Sequence, residues 1–285
     1  MQSLPVRNLT FKCIDFKKAR ICGLFYVKRL TSLRRLAIAW SMLCIYTDIM
    51  HSEIMSKMNR LRFVGTIALL ISAVSANVNA QTQEDGRIWL NMSMQGKLGN
   101  TGLNWFAELQ PRWREEGDQF DQLIIRPALF YKLDAKSSIW FGYLKAVSHP
   151  AGRSTFDEDR LWQQYSYTFD PLNTVTIQSR TRLEERRLET GKETGYRLRQ
   201  MLKASTPLEV NPKVSLIASD ELFINFNDTD WGARSGFDQN RFFLGVGYVF
   251  NPSVKVEAGY LNQYINGATV NRMNHVLSTT LSYSF

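Results

Sequence analysis

Beyond Cys44 the chain has no cysteine at all: Cys13, Cys22 and Cys44 precede a thiol-free stretch from residue 45 to residue 285. That absence excludes a thiol nucleophile or a thiolate-bound metal downstream, and it suits an oxidising compartment in which stray cysteines would mispair. Residues 81–285 also lack any run of about 20 consecutive apolar residues, the length a membrane-spanning helix needs. An excess of one charge is missing there too. The whole chain carries 35 basic and 26 acidic side chains, but residues 1–80 hold 12 and 3 of them, leaving 23 of each in 81–285. The net +9 therefore belongs to the leading segment, and the neutral remainder offers no basic patch for nucleic acid. Only His149 and His275 remain among the histidines after residue 80, and no G-x-S-x-G elbow, phosphate loop, HExxH or EF-hand pattern occurs there. The acidic run 225–231 (NFNDTDW) lacks the spaced carboxylates and glycine of a calcium loop. No metal and no cofactor are expected.

What is present begins with an export signal. Residues 55–63 (MSKMNRLRF) place Lys57, Arg60 and Arg62 ahead of the apolar stretch 64–74, which is too short to cross a bilayer. Val78 and Ala80 put small residues at the −3 and −1 positions, so cleavage is expected after Ala80. The chain thus divides into 1–54, read as an upstream extension from a misplaced start, 55–80, a signal peptide helix, and 81–285, the folded domain.

Within 81–285, segments of about ten residues alternate apolar with polar side chains and are separated by Gly, Pro, Asn and Asp clusters, as the strands of a transmembrane barrel do. Along 103–114, Leu103, Trp105, Ala107, Leu109, Pro111 and Trp113 oppose Asn104, Phe106, Glu108, Gln110, Arg112 and Arg114. Segments 175–186, 196–204 and 239–250 repeat the arrangement, and 275–285 ends it on Phe285. Alternation alone also fits a soluble sandwich. Export, the terminal aromatic residue and aromatics near strand ends favour a membrane wall with aromatic girdles. The fold expected is all-β: an antiparallel up-and-down transmembrane barrel of ten to twelve strands. Eleven segments are countable, and a barrel with both ends on one side requires an even number, which favours twelve.

The polar face collects Glu108, Arg112, Arg126, Glu158, Arg160, Arg180, Arg182, Glu184, Arg197, Arg199, Glu221, Arg241 and Glu257. A small barrel is filled by its own side chains or leaves a narrow pore. Arginine forks on carboxylates would fill it while satisfying their hydrogen bonds, and an arginine-lined path would favour a small anionic solute. A second cluster, Gln239, Asn240, Asn262, Gln263 and His275, is expected at the rim where longer connections gather. The rival class is a lipid-modifying hydrolase. His275 shares its parity with Phe285 and so faces lipid, where a general base is geometrically feasible. Its partner is missing, because position 277 is Leu, 279 is Thr, and Ser278 points to the lumen. No enzyme is therefore expected.

The blocks FDQLIIRPALFYKL, EDRLWQQYSY, SRTRLEERR, YRLRQMLKAS, DELFINFN, GFDQNRFFLGVGY, EAGYLNQY and NHVL resemble, in order, a bacterial envelope family known as domain of unknown function 2490. The resemblance covers essentially all of 81–285. It implies a Gram-negative outer-membrane barrel, bathed in outer-membrane lipid and lipopolysaccharide, with Phe285 presented to the barrel-assembly machinery. It brings no catalytic residues.

Overall fold

A computed structural model describes residues 82–285. The expectations placed on 1–54, on the signal peptide at 55–80 and on cleavage after Ala80 lie outside them. Eleven strands form one closed barrel: β1 (Thr82–Lys97), β2 (Leu103–Arg114), β3 (Gln119–Lys132), β4 (Ser137–Ser148), β5 (Phe156–Thr168), β6 (Thr176–Leu188), β7 (Gly195–Leu208), β8 (Asn211–Asn225), β9 (Gly236–Asn251), β10 (Val254–Ile265) and β11 (Asn271–Ser284). Sequence neighbours pair antiparallel throughout. Among the described residues no helix is long and apolar enough to cross a membrane.

Closure comes from one parallel pairing, β1 on β11, with Thr82 opposite Asn271 and Gln95 opposite Ser284. The count lies inside the expected ten to twelve, but the lean to twelve gives way. That lean assumed antiparallel closure, whereas an odd number of strands closes if the first and last run in the same direction.

Connections differ between the two ends. Residues 98–102, 133–136, 169–175, 209–210 and 252–253 form one end, here the turn rim; 115–118, 149–155, 189–194, 226–235 and 266–270 form the other, the loop rim. The turns are built by local chemistry. Asn251 Oδ1 accepts the backbone N–H groups of Ser253 and Val254, and Asp134 Oδ1 those of Lys136 and Ser137. Two prolines sit mid-wall and each interrupts a ladder on one side only. The β1–β2 register skips Pro111, and the β3–β4 register skips Pro127, where the missing N–H leaves no bond to give.

Alternation sorts the side chains as the sequence predicts. Leu109, Ile125, Leu129, Phe141, Leu244 and Leu277 lie exposed on the outer wall. Trp105 and Phe285 meet near the turn rim, with Tyr283 against Phe285; Trp113 and Phe120 meet near the loop rim. The opposite parity fills the interior. Part of that filling is apolar: Ile124, Ala128, Leu144, Ala146 and Trp162 are buried together, with Phe106 and Trp140 against them. Trp162 lies over Gly142, where an added Cβ would fall 2.4 Å from the indole. The expectation of a polar interior therefore holds for one side of the lumen only.

Candidate functional site

Strand register sets the charged half of the lumen. Between β6 and β7, Glu184 stands opposite Arg197 and Arg182 opposite Arg199. Glu184 uses both oxygens: Arg197 Nη2 donates to Oε2 at 2.6 Å and Arg199 Nη1 to Oε1 at 2.7 Å, and its side chain is 0% exposed. Arg199 turns its other edge to Glu221, which Arg180 also reaches at 2.8 Å. Toward the loop rim, Glu158 takes a two-pronged bond from Arg160 (2.8 and 2.7 Å) and one from Arg186 at 2.6 Å. Arg160 approaches Glu184 at 3.9 Å, and Arg197 also reaches Asp238 at 2.8 Å. Signs thus alternate along one connected network, the arrangement in which buried charges satisfy each other. Arg126 and Glu108 pair across the β2–β3 register at 2.9 Å. Lys203 and Lys255 both engage Glu257 at 2.7 Å on the turn-rim side.

Three of the lumen arginines form no ion pair among the described residues. Arg182 donates to Gln164 Oε1 and lies 4.2 Å above the Trp162 ring. Arg112 donates to Gln110 and Gln122, with Trp89 at 3.9 Å. Arg241 lies between aromatic plates, 5.0 Å from Trp89 and 4.7 Å from Phe223. These arginines are evident in the sequence; the plates beside them are less so. Parity was the available signal, since Trp162, Phe223 and Trp89 each share a face with Arg160, Glu221 and Asn91.

The five residues expected to gather at the rim divide across the wall. Gln239, Gln263 and Asn274 form a chain of amide hydrogen bonds inside, at 2.5 and 2.9 Å. Asn240 faces outward and donates to Asp220 at 2.9 Å. Asn262 and His275 also face outward, both on the Tyr260 hydroxyl, which lies 2.6 Å from His275 Nδ1. Adjacent strand residues point to opposite faces, so one sequence cluster becomes two. Glu84 stands 3.6 Å from His275 Nε2, and Ser278 is buried on the lumen side. The side chain that engages His275 is thus Tyr260.

Above the loop rim, connections 189–194 and 226–235 interlock. Asp230 accepts the backbone N–H groups of Lys192 and Glu193, Glu193 Oε2 accepts that of Asp230, and Trp231 Nε1 donates to the Glu193 carbonyl. Those N–H donors, Lys192 first, hold the Asp230 carboxyl below its ordinary range. Asp228 takes the Ser235 N–H at 2.8 Å, so the acidic run serves loop scaffolding. Trp231 carries Arg186 over its ring at 5.1 Å, which ties the loops to the interior network.

Residues 86–274 match the family described as protein of unknown function (DUF2490). An uncharacterised protein of Methylorubrum extorquens is 36% identical over 219 residues, covering 75% of this chain and 94% of its own length. No solved structure matches the chain.

Proposed function

The chain belongs to the DUF2490 family of proteins of unknown function, and on that premise we propose that it is an outer-membrane barrel plugged by its own side chains, a structural wall element rather than an open pore. The observation that carries this is Glu184: a lumen carboxylate whose side chain is 0% exposed, with an arginine on each oxygen, is packed as a side-chain plug would be. The exposed apolar outer wall supports the membrane location, because a soluble barrel would present that surface to water. The export signal at 55–80 supports the route, and Phe285, whose N–H is bonded to the Gln95 carbonyl at 3.0 Å, supplies the closing residue for assembly.

His275 belongs in this reading to the rim. Its Nδ1 is engaged by Tyr260, which supports a structural contact at the outer wall. The test is conductance in planar bilayers. Wild-type protein is expected to give no single-channel steps, and Arg197→Ala with Arg199→Ala is expected to give a leak. Regular steps from wild type would overturn the plugged reading. Sedimentation with inner-membrane or soluble fractions would overturn the location.

A further inference from the structure

On the turn-rim side of the plug the lumen widens into a chamber of about 230 Å³. Its wall carries six cations, Arg112, Arg126, Arg180, Arg199, Arg241 and Lys203, against three carboxylates, Glu108, Glu221 and Glu257. Each carboxylate is already engaged: Glu108 by Arg126, Glu221 by Arg180 and Arg199, Glu257 by Lys203. Arg112 and Arg241 are left over.

Neither leftover arginine has a carboxylate partner among the described residues. Arg112 is buried and reaches only the amide oxygens of Gln110 and Gln122, and its Nε is buried with no hydrogen-bond partner. Arg241 forms no ion pair among the described residues, and its Nε is likewise buried and unpartnered. Stacking adds to the amide bonds of Arg112 and is what holds Arg241. Trp89 lies against both guanidinium groups, and Phe223 lies against Arg241. Aromatic plates cover the flat faces of a guanidinium and leave its N–H edge as the free donor. Cations withdrawn from water without an ion-pair partner of their own are costly, and an anion in the cavity beside them would offset that cost.

We propose that this chamber is a binding site for a compact, doubly charged oxyanion, held edge-on by Arg112 and Arg241. Two uncompensated cations call for about two negative charges. Planar N–H forks favour carboxylate or phosphate oxygens over a spherical halide. The volume equals roughly eight waters of the liquid at about 30 Å³ each, which admits a phosphate or a short dicarboxylate. Ser219, Ser278 and Thr280 line the same space and supply neutral hydroxyls to the remaining oxygens. The chamber is lined by the inner face of the barrel, so anion binding there does not depend on the membrane around the outer wall.

The experiment titrates refolded full-length protein in detergent with phosphate, and separately with succinate, against chloride at matched ionic strength. Tryptophan fluorescence and the thermal midpoint are read together. Saturable binding of at least one of the two dianions is expected, with a midpoint that rises with its concentration as for a ligand held by the folded state alone. Arg241→Gln is expected to weaken binding about tenfold or more, the scale of one charge-assisted fork. The same variant is expected to raise the midpoint of the anion-free barrel, because it removes an unpaired buried charge; that gain should shrink as the anion is added. Arg241→Lys, which keeps the charge and loses the fork, should bind weakly, whereas Arg234→Gln on an outer loop should bind as wild type. Preference for one of the two dianions would identify the shape read. Binding of neither, or equal binding by wild type and Arg241→Gln, would overturn the proposal.

Discussion

Glu184 illustrates how far one side chain's fate depends on its neighbours inside the wall. Its two oxygens are held by Arg197 and Arg199, and no solvent reaches it to replace either. Removing one partner of a buried pair leaves uncompensated charge, at a cost of about 3–5 kcal/mol. Glu184→Ala is therefore expected to lower barrel stability by that order, read from the urea midpoint of the refolded protein in lipid vesicles. An unchanged midpoint would mean that the network is wet and readily rearranged. Residue by residue, the charged lining was legible because a carboxylate or guanidinium in an alternating segment has only one face on which it can be satisfied. The apolar lining was not. In 137–148 (SSIWFGYLKAVS) apolar residues fall on both parities, so sequence gives no sign that Trp140, Leu144 and Ala146 turn inward while Ile139 and Phe141 turn out.

At the scale of elements, the strands and their antiparallel neighbours were legible, while the parallel seam and the contacts between loops were not. The alternation in 103–114 and the polar connections set most strand limits, since each rests on local chemistry. The rim cluster shows the limit of the same reasoning. Gln239 with Asn240, and Asn262 with Gln263, are neighbours along the chain, yet the pleat sends one of each pair inside and the other out. The interlock of the two loops is likewise absent from either loop alone, because Asp230 finds its donors in residues 192 and 193. It has a pH signature. A carboxyl held below its ordinary 3.8 stabilises the folded loops above that value, and the contribution is lost as pH falls through the lower folded value. Hydrogen exchange is expected to find the amides of Lys192 and Glu193 protected at neutral pH and progressively open below the ordinary carboxylate range. In Asp230→Ala they should be open throughout. Equal protection in both proteins would place the loop contact elsewhere.

For the molecule as a whole, the decisive feature is how the wall closes. Eleven strands and a parallel seam mean that β1 enters at the loop rim beside Asn271, the same end at which β11 begins. Evenness was expected because antiparallel hairpins alone return the chain to its starting side, and nothing local in 82–97 or 271–284 announces a parallel partner. A parallel seam is the weaker kind of pairing per residue, yet here it runs from Thr82 to Gln95, and it is reinforced by side chains: Asn91 Nδ2 donates to Thr280 Oγ1 at 3.2 Å, and Gln95 Nε2 to Ser284 Oγ at 3.1 Å. The seam makes a sharp prediction, since Leu90 and Thr279 stand opposite each other on the outer face. Neighbouring strands bring such positions within the Cα separation of about 4.4–6.8 Å that a disulfide requires. With Cys13, Cys22 and Cys44 changed to Ser, the pair Leu90→Cys and Thr279→Cys should oxidise readily in the refolded barrel and yield a looped chain with altered gel mobility that reductant reverses. A control pair at Leu90 and Leu161, on β1 and β5, should not. A further strand inserted between β1 and β11 would hold the first pair apart by two strand spacings, and failure to cross-link would show that the wall closes in that other way.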